Sequence, residues 1–137
     1  MKKKIFLIIG SNSFSGSHFV DYILSLKHKV IGVSRSSQIN NIFLPYKKNN
    51  HIKNFKFYKI DLNKEKENNK LINIIKKYKV EYIVNFSAQA MVAESWQYPV
   101  DYYRTNVLSL VKLVNKIKGI KHIKKFVHVS TPEVYGN

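Results

Sequence analysis

The sequence of 137 residues has no cysteine, three prolines, five glycines and only eight acidic side chains. Without thiols, disulfides are excluded, and so is any metal site built on thiolate ligands; an intracellular, cytoplasmic location is the expectation. Long hydrophobic runs are missing too. The opening MKKKIFLIIG has the charged start of an export signal, but its apolar stretch is Ile5 to Ile9, too short for an export core or a bilayer span. No linker rich in Pro, Ser or Gly, no repeat and no low-complexity tail divides the chain. Residues 1–137 are therefore expected to form one domain, or part of one.

The shortage of acid leaves 24 Lys and Arg against 8 Asp and Glu, a formal net charge of +16. Such a charge raises the question of nucleic acid, since phosphate contacts and counterion release favour basic proteins. Here the lysines are spread through MKKK, PYKKNN, IIKKYK and KGIKHIKK among many Asn and Ile residues, which reads as biased usage and not as a dedicated face. No stacking-aromatic or recognition-helix motif accompanies them. Neither nucleic acid nor membrane is expected as a partner, although a basic surface favours anionic ligands. Histidines 18, 28, 51, 122 and 128 show no metal-ligand spacing, and no metal is expected.

What the chain does contain is an alternation of apolar runs and helical periodicities. Ile5 to Ile9, Lys29 to Ser34, Phe55 to Ile60, Tyr82 to Phe86 and Lys125 to Ser130 read as strands, the first apolar throughout, as a strand covered on both faces requires. Between them, Phe19, Val20, Ile23, Leu24 and Leu26 recur at helical spacing, as do Leu71, Ile72, Ile74 and Ile75 within Asn63 to Tyr78. A further helix is expected over Val100 to Lys118, with Tyr103, Val107, Leu110, Val111 and Val114 at helical intervals. Ser36 to Lys53 reads as a short helix or as loop. Strands alternating with helices predict an α/β fold, a doubly wound parallel sheet of the Rossmann type.

In such a sheet the turn after the first strand is the usual phosphate site. GSNSFSG, residues 10 to 16, comes directly after that strand. Its small residues let the backbone approach an anion, and the helix that begins there offers unpaired N–H groups. Alone the motif is weak: two glycines make a tight turn as readily, and Ser13 stands where a G-x-x-G-x-x-G loop has its central glycine.

Four more motifs occur in order: DL at Asp61 and Leu62, FSAQA at Phe86 to Ala90, ESWQYPVDYYRTNV at Glu94 to Val107, and VSTPEVYG at Val129 to Gly136. Together with the loop they resemble the N-terminal part of the extended short-chain dehydrogenase/reductases, the nucleotide-sugar epimerases and dehydratases. The resemblance covers essentially the whole chain. It implies that Gly10, Ser13, Phe14, Ser15 and Gly16 pass around a dinucleotide diphosphate, that Asp61 and Leu62 contact the adenine, and that Ser87, Ala88, Gln89 and Asn106 belong to the cofactor side. Asp61 equally suits a cap on the next helix. Gln89 and Ser95 are expected to line the cofactor or substrate side, and Trp96, Tyr102 and Tyr103 are read mainly as packing.

The resemblance also implies catalytic roles. Thr131, four positions before Tyr135, matches the hydroxyl that orients the substrate oxygen being oxidised; as a bare residue it suits a cap equally. Glu133 matches the glutamate that nucleotide-sugar dehydratases use to remove a proton next to the new ketone, against the plainer reading of a solvated loop carboxylate. Pro132 occupies the place where dTDP-glucose dehydratases of the family carry an Asp, and proline donates no proton. Arg35, in GVSRSS, stands where NAD-selective enzymes place an acid, and the turn is similar to that of GDP-mannose dehydratases that use NADP. NAD or NADP is the expected cofactor, with Arg35 leaning to NADP.

One family element is missing. The proton relay is a Tyr with a Lys four residues on, and no Tyr of this sequence has a Lys at that interval. The chain therefore reads as the cofactor-binding portion of a nucleotide-sugar 4,6-dehydratase, truncated after the fifth strand, inactive alone and a homodimer when full length. A 4-epimerase or reductase of the same family and a non-catalytic dinucleotide-sensing module are the alternatives.

Overall fold

β-Branched and aromatic residues dominate Ile5–Ile9 (β1), Lys29–Ser34 (β2), Phe55–Lys59 (β3), Tyr82–Asn85 (β4) and Lys125–His128 (β5), as pleated, covered strands prefer. The computed structural model describes residues 2–136, apart from the side chains of Pro132 and Glu133. All four pairings are parallel and the sheet order is β3-β2-β1-β4-β5. From β1 the chain winds outward to β3, then returns past β1 to β4 and β5. The reversal falls between β1 and β4, where a doubly wound sheet opens a crevice beyond its carboxyl ends.

Alternation along each strand feeds two cores. Leu7, Ile9, Ile31, Val33 and Ile83 meet helix α2 (Glu65–Tyr78) through Leu71, Ile72, Ile74 and Ile75, together with Leu113 and Ile117. On the opposite face Ile8, Val30 and Val84 meet helix α1 (Phe14–Ser25) through Val20, Ile23 and Leu24. Each fully buried aliphatic side chain contributes roughly 1.5–3 kcal/mol by leaving water.

The undecided stretch from Ser36 to Lys53 is neither an α-helix nor a bare loop. Three 3₁₀ turns, Asn41–Phe43, Pro45–Lys48 and Ile52–Asn54, carry the chain from β2 to β3. Leu44 and Tyr46 are fully buried beside α1, and the Asn49 amide donates to the Asp21 carbonyl and carboxylate. A crossover without a helix still covers the sheet.

The helix expected over Val100 to Lys118 is present in pieces with a different inner face. After α3 (Val92–Gln97), α4 (Pro99–Tyr102) runs into a π-helical stretch, Tyr103–Leu108, and then α5 (Ser109–Ile117). A π-turn inserts a residue and so rotates the helical turns beyond it. Ser109, Leu113 and Ile117 are the buried set, whereas Tyr103, Val107 and Val111 are half or more exposed. Trp96, read as packing, is 84% exposed, and Tyr103 is likewise not packed inward. The periodicity is real but marks a second apolar face on the outside.

Leu113→Ala should therefore destabilise the protein by about 2–5 kcal/mol in urea unfolding, and Val111→Ala by under about 0.5 kcal/mol. Equal losses would mean that the helix faces the sheet in the other register.

Candidate functional site

Two glycines bring the end of β1 and the start of α1 together. Gly10 has φ +82°, and a Cβ there would lie 2.9 Å from the Ser87 nitrogen. At Gly16 a Cβ would stand 2.2 Å from the Gly10 carbonyl oxygen. Neither position accepts a side chain without moving backbone. Between them Ser13 caps α1: its Oγ accepts from the Gly16 N–H at 3.1 Å and donates to the Gly10 carbonyl at 2.7 Å. The amides of Phe14 and Ser15, in the first turn, have no residue four back within the helix to pair with.

The Phe14 ring is 81% exposed and leans on His18, and Ser15 is exposed; neither residue lines the crevice. Gly10 and Ser13 border it. The hollow expected beyond β1 is open, with no side chain filling it.

A cavity of about 350 Å³ lies there, at the carboxyl ends of β1, β2 and β3 and under the loop after β4. Ser34, Arg35 and Ile39 form one wall, Asp61 and Leu62 another, and Ser87, Ala88 and Gln89 a third. Arg35 and Asp61 thus face a common space although 26 positions separate them in the chain.

Asp61 does not cap α2, whose N-cap is Lys64. Its Oδ1 instead accepts from the Asn63 N–H at 3.0 Å, and its own N–H donates to Glu67 Oε2 at 2.6 Å. That bond, more than Lys64 nearby, holds the Glu67 carboxyl below the ordinary glutamate range. Asn63 Nδ2 reaches across to Thr105 Oγ1 at 3.0 Å, tying this loop to the π-helical stretch.

Beyond the β4 loop a second hollow of about 640 Å³ continues from Ser87, Ala88 and Gln89 to Ser95, His128 and Thr131. Asn85, 2% exposed, sets the loop's course by accepting the Ser87 N–H and hydroxyl through Oδ1. Its Nδ2 lies 3.1 Å from His128 Nδ1, a hydrogen bond that joins the β4 loop to the end of β5. Asn106 clamps Gln89 by both main-chain groups, at 2.8 and 2.9 Å, so its role in the fold is to hold the loop.

Thr131 is exposed at the rim of the second hollow. Glu133 belongs to a 3₁₀ turn, Pro132–Tyr135, and its side chain lies outside the described residues. Asn12, Asn63, Glu67, Asn85 and Thr105 were not singled out from the sequence. Each acts through a hydrogen bond to a partner distant in the chain or by holding a neighbouring turn, and only an acid at the start of α2 leaves a sequence signal, as a helix-favoured residue.

A parallel sheet of this order, with a loop of small residues after β1 and a crevice at the switch point, defines the Rossmann-like class of α/β folds. Residues 7–137 match the GDP-mannose 4,6 dehydratase family, and the chain belongs to it. It is 32% identical to a dTDP-D-glucose 4,6-dehydratase of Dictyostelium discoideum over 136 residues, 96% of this chain and 30% of that one. Among solved structures, dTDP-glucose 4,6-dehydratase of Bacillus anthracis in complex with NAD superposes with a TM-score of 0.76 at 31% identity, over 98% of this chain and 39% of that one. UDP-N-acetylglucosamine 4-epimerase of Methanobrevibacter ruminantium gives 0.80 at 31% identity, over 99% and 40%. The chain thus spans between 30% and 40% of these relatives' length.

A carboxylate whose folded-state pKa is depressed stabilises above its unfolded value and loses that contribution as pH falls through the folded one. On acidification below the ordinary value of 4.5, the Asp61 amide proton should shift upfield in NMR spectra. Glu67→Gln should abolish that step; an unchanged titration would detach Glu67 from the Asp61 loop.

Proposed function

We propose that this chain is the dinucleotide-binding portion of a nucleotide-sugar 4,6-dehydratase. The observation that carries the reading is the pair of adjoining hollows at the carboxyl edge of the sheet, one bordered by Gly10, Ser13, Arg35 and Asp61, the other ending at Thr131. The residues present suit a dinucleotide: unpaired first-turn amides for the diphosphate, Ile39 and Leu62 as apolar walls for a base, Arg35 for a phosphate. When bound, such a cofactor supplies reversible hydride acceptance. Thr131 would hold a sugar hydroxyl in the second hollow, and Glu133 would take the proton beside the oxidised carbon.

A 4-epimerase is the second reading. Proline at 132 removes a proton donor that the dehydratase reaction uses, and Thr131 serves an epimerase equally. In either case a nucleotide sugar is the substrate, and the chain as it stands, with no Tyr followed four residues later by Lys, is inactive alone.

Arg35 at the rim, with no acid in its turn, favours NADP over NAD. Calorimetric titration should give about tenfold tighter binding of NADP, a difference of about 1.4 kcal/mol, and Arg35→Ala should erase it. Equal affinities in the unaltered protein would overturn the preference, and no binding of either would overturn the whole reading.

The outer apolar face of α4, the π-stretch and α5 fits a second copy of the chain. Val100, Tyr103, Val107 and Val111 are 65%, 70%, 50% and 51% exposed and border one hollow of about 660 Å³. A stripe along a helix is self-complementary about a two-fold axis. Val107→Asp should convert dimer to monomer in sedimentation analysis; a monomeric unaltered protein would refute the pairing.

A further inference from the structure

Arg35 is exposed and its long side chain is free to rotate, so its position depends on the backbone that carries it. That backbone is held by one residue of the phosphate loop. The Asn12 N–H donates to Ser34 Oγ at 3.0 Å, just before Arg35. The Asn12 side chain donates through Nδ2 to the carbonyls of Ser36 at 3.2 Å and Ser37 at 2.9 Å, just after it. Ser34 is itself buried, with its hydroxyl 3.5 Å from that of buried Ser11.

Two carbonyl oxygens need a donor, so the amide cannot be turned over: Nδ2 faces the turn and Oδ1 faces inward. There Oδ1 is buried with no hydrogen-bond partner. A partnerless buried acceptor costs stability. An alanine or serine at position 12 would avoid that cost but lose the two bonds to the turn, so holding the turn is what the asparagine adds.

We propose that Asn12 is a positioning residue for cofactor selection, clamping the main chain on both sides of Arg35 and thereby holding the guanidinium at the cavity rim for a 2'-phosphate. The inference rests on the reading of Arg35 given above. Asn12 lines the same cavity as Arg35 and Ile39, so the clamp and the rim belong to one wall. Removing the clamp frees the turn, and ordering it again on binding then opposes the ligand that needs Arg35 most. NADP should lose more than NAD, which leans on the α1 amides and the β4 loop.

Two measurements on the intact chain decide the matter. In NMR relaxation without ligand, the heteronuclear NOE of the amides of residues 35–37 should fall in Asn12→Ala, with the β1 and β2 amides unchanged. In calorimetric titration, the NADP-to-NAD affinity ratio should fall about three- to tenfold, chiefly through NADP. Asn12→Ser, which keeps a small polar residue but cannot span to both carbonyls, gives the same test should the alanine variant not fold. Unchanged order at 35–37, or an unchanged ratio, overturns the role of Asn12. An unaltered protein without NADP preference instead overturns the Arg35 reading, and the relaxation measurement alone then judges the clamp.

Discussion

The fold's usable edge depends on one close approach: the backbone of α1 at Gly16 pressed against the carbonyl of Gly10, which in turn lies against the backbone of the β4 loop at Ser87. Three main-chain segments meet with no Cβ between them. Were either glycine replaced, α1 would be pushed off the end of β1 and the loop at Gly10 and Ser13, which borders the crevice, would shift with it. The left-handed φ at Gly10 makes the same demand from the conformational side.

Around that contact, asparagine does most of the polar fastening. Asn12 ties the phosphate loop to the turn after β2, Asn63 ties the β3 loop to Thr105, Asn85 shapes the β4 loop and reaches His128, and Asn106 holds Gln89 by both main-chain groups. The amide is suited to this, offering donor and acceptor at once without a charge to desolvate. In a chain with 24 basic and 8 acidic side chains, ion pairs cannot play that part widely. Among the described residues Lys64 with Glu67 and Arg104 with Asp101 are local, exposed pairs, each worth at most about 1 kcal/mol, and only Lys116 with Glu65 and Lys124 with Glu81 join distant segments.

The relation between sequence and structure differs from element to element. β1 and β2 have the bounds expected of them because an apolar run flanked by Lys and Gly has few other solutions. The outer helices were harder. Tyr103, Val107 and Val111 carry a helical period that a core would explain, yet Ser109, Leu113 and Ile117 are the buried set. A helix with two apolar faces does not declare which one meets the sheet, and the π-turn that decides it has no signature in composition. Asp61 was similarly ambiguous, and its pairing with Glu67 rather than a capping bond depends on where α2 begins.

By itself the sequence determined the strand and helix alternation, the parallel doubly wound class and the tight glycine-bounded loop after β1, because these arise from local periodicity and from glycine where no Cβ fits. Tertiary structure alone decided that Arg35 and Asp61 share a cavity, that Asn12 brackets Arg35, and which face of the last helix is left uncovered. Those are relations between segments distant in the chain, set by sheet order and by hydrogen bonds whose partners no local pattern names.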